Sequence, residues 1–216
     1  VTNGSLDQFV QAQNDKTKWT ARFSPTAGFS GNATIQLNPT AVFNDLAGNA
    51  GNVVGSSLTI PIDTIAPNVT RASFAYSGAQ NNLLNAGDTI AVDLTFSEEV
   101  NVTSNLLNIP SISLKVGARD VNAILTGYKS VNDRTTLRFV YVIQSVDTDS
   151  DGISVNATEL SLNGATIKDN AGNNAVLVHS NATSNLRSYV VDTTAPDKPS
   201  IALKADTGAL EPDGIT

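Results

Sequence analysis

Apolar and polar side chains alternate strictly along residues 89–97. Ile90, Val92, Leu94 and Phe96 fall on one side of an extended chain, with Ala91, Asp93, Thr95 and Ser97 on the other. Successive side chains leave a strand on opposite faces, so this pattern predicts a half-buried β-strand. Leu137, Phe139, Tyr141 and Ile143 form a second such face, and Val140 and Val142 behind them predict a central strand covered on both sides. Ile112-Ser113-Leu114-Lys115-Val116 and Ser188-Tyr189-Val190-Val191 read likewise. Nearer the start, Trp19, Ala21 and Phe23 share a face, followed by Ile35 and Leu37, then Val53-Val54, then Leu58 and Ile60. Gly78, Gly87-Asp88, Gly117, Asn132-Asp133 and Asp151-Gly152 punctuate these runs at turn-like intervals. No window sustains a helical stripe over three turns. The pattern predicts an all-β protein built from antiparallel β-sandwiches.

An internal repeat divides the chain. Asp45-Leu46-Ala47-Gly48-Asn49 recurs 124 residues later as Asp169-Asn170-Ala171-Gly172-Asn173. Ile62-Asp63-Thr64-Ile65-Ala66-Pro67 recurs at an offset of 129 as Val191-Asp192-Thr193-Thr194-Ala195-Pro196. Two motifs in the same order at nearly one period mean duplicated units. Each proline forces an extended residue before it and lacks a ladder donor, so each Asp-Thr-x-Ala-Pro segment ends a strand and begins a stiff connector. The expected units are residues 1–66, 67–195 and 196–216. The first holds too few strands for a sandwich of about 100 residues and reads as the C-terminal part of a repeat. The last, with Ile201 and Leu203 against Ala202 and Lys204, reads as the first strand of another. The chain is thus expected to be cut from a longer array at both ends. Strand 199–204 could alternatively complete the first unit of a neighbouring chain.

Composition narrows the function. Of 216 residues, 40% are hydrophobic and 15% charged, which suits a packed core and excludes wholesale disorder. The formal net charge is −7. No basic stripe is present to displace counterions from phosphates, which excludes nucleic acid as a partner. No polybasic cluster or apolar run long enough to span a bilayer is present, so membrane insertion is not expected. There is no cysteine, which removes disulfides, zinc–thiolate sites and thiol nucleophiles together. Catalysis has little to rest on: the sole histidine, His179, follows an apolar run and reads as an incidental surface residue. No enzyme is expected.

The ordered motifs carry a family resemblance. They run from Ala86-Gly87-Asp88-Thr89-Ile90 and Thr95-Phe96-Ser97-Glu98-Glu99-Val100 through Asp147-Thr148-Asp149-Ser150-Asp151-Gly152-Ile153 to Ile167-Lys168-Asp169-Asn170-Ala171-Gly172-Asn173 and the Asp192 connector. In this succession the chain resembles the bacterial immunoglobulin-like (Ig-like) tandem repeats of large surface proteins, the type I-secreted and RTX-type adhesins. The resemblance implies extracellular, cell-surface extender modules for cell adhesion and biofilm formation, stiffened by Ca²⁺ at domain junctions. Their partners would be the neighbouring repeats of the same chain and, through distal domains, a host or abiotic surface. A ligand-binding module of the same adhesin, or accessory domains of a secreted hydrolase, are the alternatives.

Two constellations could hold Ca²⁺. Asp147, Asp149 and Asp151, followed by Gly152, match the first half of a calcium loop, in which alternate carboxylates face one cation. An acidic hairpin turn in water is the plainer reading. In Ig-like topology the loops after strands B and F share one end of the domain. If strand B is 89–96 and strand F ends near Lys168, then Glu98, Glu99 and Asp169 converge there, with Asp63 arriving on the connector and Asn173 close by. A turn held by the Asp and Asn side chains is the plainer reading of Asp-x-Ala-Gly-Asn. Asp192, in the outgoing connector, is expected at the opposite end near loop 147–152.

Overall fold

The computed structural model describes residues 1–52, 55–155, 160–179 and 188–201. Val53-Val54 and the part of the expected terminal strand beyond residue 201 lie outside them. No helix occurs among the described residues, and the fold is all-β, as the alternation predicts.

The first third holds β1 (Gly4–Gln11), β2 (Trp19–Pro25), β3 (Ser30–Gln36), β4 (Val42–Asn44), β5 (Ala50–Asn52) and β6 (Ser57–Asp63). All pair antiparallel, as β1–β2, β3–β6 and β4–β5. Leu6 lies opposite Phe23 in the first hairpin. Little is covered here. Ala33 is the one buried apolar residue among the described residues of this stretch, while Trp19 is 61% exposed and Phe43 58%.

The remaining strands are β7 (Val69–Ser77), β8 (Leu83–Leu84), β9 (Thr89–Phe96), β10 (Asn101–Thr103), β11 (Ser111–Val116), β12 (Arg119–Ser130), β13 (Asp133–Val142), β14 (Ser154–Val155), β15 (Thr166–Lys168) and β16 (Val190–Val191). Six of them form one sheet in the order β14-β11-β12-β13-β9-β7. β10 pairs with β15. Ile90, Val92, Leu94 and Phe96 of β9 meet Ile112, Leu114, Leu137 and Phe139 in a single core closed by Val100, Ile153, Ile167 and Val191. Each such side chain contributes about 2 kcal/mol by leaving water.

Three expectations need correction. β9, not β13, is buried on both faces: Asp93 on its outer side is covered by Arg138 and Lys129, whose aliphatic stems shield the strand. β13 does lie between β12 and β9, but Val142 on its outer face remains 44% exposed. β16 runs parallel to β8, since strands so remote in sequence are under no hairpin constraint. His179, expected at the surface, is buried.

Candidate functional site: the connector at Asp63

The two copies of Asp-x-Ala-Gly-Asn fold into the same turn. In the first, Asp45 accepts the backbone N–H of Ala47 at 2.9 Å and of Asn49 at 2.8 Å on one oxygen, and the Asn49 side-chain amide at 2.8 Å on the other. In the second, Asp169 accepts the Asn173 backbone N–H at 2.8 Å and its side-chain amide at 2.7 Å. The backbone closes each turn identically, Asp45 with Asn49 and Asp169 with Asn173. These are the donors that make a short Asx turn. Asp169 is buried, which pushes its carboxyl up, but the bonds from Asn173 and the turn outweigh burial and leave it below the ordinary value.

Among the described residues, only the second copy has a connector against it. The Asn173 side-chain amide also donates to the Asp63 carbonyl at 3.0 Å and to the Ile65 carbonyl at 3.3 Å. Val176 N–H bonds the Pro67 carbonyl at 2.8 Å just beyond. On its other side the connector is held by Thr64, whose hydroxyl donates to the carbonyl of Thr26 at 2.8 Å and accepts the Phe29 N–H at 2.9 Å. The outgoing connector repeats this arrangement: the Thr193 hydroxyl reaches the carbonyls of Ser145 at 3.0 Å and Asp147 at 2.9 Å. Asp63 and Asp192 each accept the N–H two residues on, from Ile65 at 3.1 Å and Thr194 at 2.9 Å. The motif therefore has a division of labour. Asp shapes the turn, and Thr clips the connector to the unit it leaves, several residues before the proline. Sequence reasoning missed the threonine clip, although the same residue in both copies was its signal.

The structure brings Asp63, Glu98 and Asp169 together, with one carboxylate oxygen of each lying within 4.8 Å of the others. Glu98 follows β9 and Asp169 follows β15, so the two loops do share one end. No described ion pair involves any of the three. Partial burial raises the Glu98 carboxyl above its usual value, and the charges of Asp63 and Asp169 raise it further. Glu99 turns aside, with one oxygen 3.4 Å from the Asn170 side-chain amide.

Oxygens bound to Ca²⁺ at about 2.4 Å stand up to about 4.8 Å apart. Three carboxylates at this spacing fit a hard cation, and their mutual repulsion is what such an ion relieves. Nearby carbonyls and water would complete the shell.

The loop at 147–152 is built differently. Asp147 is fully buried and accepts from Tyr141 Oη at 2.6 Å and Gln144 N–H at 2.8 Å, with Arg119 ion-paired to its other oxygen. Burial first, and then the hydrogen bond to Asp147 and its charge, push the Tyr141 phenol up to about 12. Asp149 accepts the N–H of Asp151 at 3.0 Å, Gly152 at 2.7 Å and Gly117 at 2.8 Å. Gly117 has φ of 54°, and a Cβ there would sit 2.0 Å from the Thr148 carbonyl, so only glycine allows this approach. Asp147 and Asp149 thus spend their oxygens on protein donors, and they do not converge with Asp151 on one point. Asp192 does lie beside this loop, lining a groove with Asp149, Asp151 and Gly117.

Residues 1–62 match the model of a bacterial Ig-like domain family. Domains of that kind are commonly extracellular or surface-exposed. Neither the curated proteins nor the solved structures gave a match.

Proposed function

We propose that this chain is an extender segment of a bacterial cell-surface adhesin, with Ca²⁺ bound by Asp63, Glu98 and Asp169 at the connector between repeats. In this reading residues 1–66 are the rear of one repeat, 67–195 a complete one, and 196–216 the start of the next. The match of residues 1–62 supports the Ig-like part. The observation that carries the rest is the placement of the acidic cluster. One ligand comes from the connector and two from the unit it enters, so a cation ties them across the hinge.

The chemistry is mechanical, not catalytic. Asn173 and Thr64 already hold the connector from both sides. The cation would supply charge neutralisation among three carboxylates that otherwise repel. With it the joint is stiff, and the array stands away from the cell to present distal domains to a host or abiotic surface.

Calorimetry in excess EDTA and again in millimolar CaCl₂ tests this. A ligand that binds only the folded state raises the melting temperature by mass action. A rise that is lost in Asp169→Ala supports the clamp. Superimposable melts would reduce the cluster to an acidic turn and the array to a plain tether.

A further inference from the structure

The duplication reaches further than the two motifs. Trp19-Thr20-Ala21-Arg22-Phe23 in β2 matches Thr135-Thr136-Leu137-Arg138-Phe139 in β13. Each is the second strand of a hairpin, and a leucine faces the phenylalanine in both: Leu6 opposite Phe23, Leu125 opposite Phe139. Likewise β4 corresponds to β15, since Asn44 pairs with Ala50 as Lys168 pairs with Asn174.

These equivalent strands differ in what covers them. β13 is paired on its second edge by β9, and β15 by β10. The corresponding edges of β2 and β4 are unpaired among the described residues. The side chains follow suit. Ile167 is 2% exposed but its counterpart Phe43 is 58%. Leu137 and Phe139 are fully buried, whereas Ala21 is exposed and Phe23 half-buried. On the opposite face Arg138 grips Asp93 of β9 with bonds of 2.7 and 2.9 Å. Arg22 has no such strand beside it and turns to Asp7 instead, remaining largely exposed.

We infer that the unpaired edges of β2 and β4, with the Ala21, Phe23 and Phe43 face, form a docking surface for a β9-like and a β10-like strand. Those strands come from the front half of the same repeat. The proposal rests on the reading of residues 1–66 as the rear of a repeat, and it adds the occupant and its chemistry. The first strand carries apolar residues at every second position toward Phe23 and an acidic residue opposite Arg22. Main-chain groups along an open edge call for another strand, because only a strand matches their spacing. A second copy of this chain cannot supply it from its own β9 and β10, which are already paired within their own unit.

The test grafts a second copy of residues 67–116, which span β7 to β11, ahead of Val1 of the full chain. Hydrogen exchange at residues 19–25 and 42–44 is then compared with the ungrafted protein, together with the emission of Trp19, the sole tryptophan. The expected result is at least about tenfold slower exchange in both segments and a blue-shifted Trp19. Unchanged exchange in a graft whose added strands are themselves protected would overturn the proposal. A second measurement needs no graft: Phe43→Ser in the full chain should shift its melting temperature only slightly, because the ring rests on the paired Gly51 alone and no further strand covers it among the described residues. A marked loss there, or a dimer in light scattering with Trp19 already shielded, would mean that something else closes this face. The calcium response of the Asp63 cluster is read separately on the same proteins, so failure here leaves the junction reading standing.

Discussion

Asn173 and Asp63 stand 110 residues apart in the chain, and the side-chain amide of the first donates to the main-chain carbonyl of the second at 3.0 Å. The same amide closes the turn on Asp169 at 2.7 Å. One carboxamide therefore couples the shape of a loop to the position of a connector that Thr64 and the Val176–Pro67 bond also hold.

Asn173→Ala should free the connector without emptying the acidic cluster. The loss is about 2 kcal/mol from unpaired carbonyls and an unheld turn. Small-angle scattering should show a broader distribution of inter-unit distances. Asn49→Ala, at the copy with no connector against it, should leave that distribution unchanged.

Glu98→Gln should have opposite effects in two buffers. In EDTA it removes one of three mutually repelling charges, so the melting temperature rises. In CaCl₂ it removes a ligand, so the calcium-induced increment shrinks. Paired calorimetric scans read both signs in one experiment.

Thr193→Val deletes the clip to the Ser145 and Asp147 carbonyls while keeping the shape of the side chain. The expected cost is about 1 kcal/mol. Limited proteolysis should cut the 192–196 connector faster than in the parent protein.

Asp147→Asn leaves Arg119 without its counter-charge, and the Tyr141 hydroxyl then faces a neutral partner. Stability should fall by about 3 kcal/mol. With the Asp147 charge gone, the Tyr141 phenol should titrate below its present value of about 12, seen as an earlier step in an ultraviolet pH titration.

Asp93 gives the acid limb of stability. Burial pushes its carboxyl up, but Arg138 and Lys129 outweigh burial and hold it below 3.8. A depressed folded value means the contribution is complete above the unfolded value and is lost as pH falls below 3.8 toward the folded one. Asp93→Asn should cost about 2 kcal/mol at neutral pH and flatten denaturant midpoints measured between pH 4 and pH 2.

The alternation at Ile90–Phe96 made β9 legible because a strand with one core face writes its period directly into the sequence. What hid its second buried face was charge: Asp93 looks like a solvent position until Arg138 and Lys129, far along the chain, fold over it. The convergence of Glu98 and Asp169 was readable because topology alone places those two loops together. The fate of Asp147 and Asp149 was not, since alternate carboxylates read the same whether they face an ion or an arginine and a set of backbone N–H groups. The threonine clips were legible only in retrospect, because a hydroxyl's partners are carbonyls, which every residue carries.

The parallel pairing of β16 with β8 bears on how the chain would respond to a pull in the proposed extender function. Tension leaving through Asp192 runs along β16, and the bonds from the Val190 N–H to the Asn82 carbonyl and from the Asp192 N–H to the Leu84 carbonyl lie across that direction. They are loaded together in shear, as is the bridge between Val191 and Asp149, instead of opening one at a time like a zip. Resistance to such a pull is governed by the barrier to unfolding, not by equilibrium stability. If the chain works as the proposed extender, a two-residue strand, thermodynamically a minor element, is among the elements that meet this load.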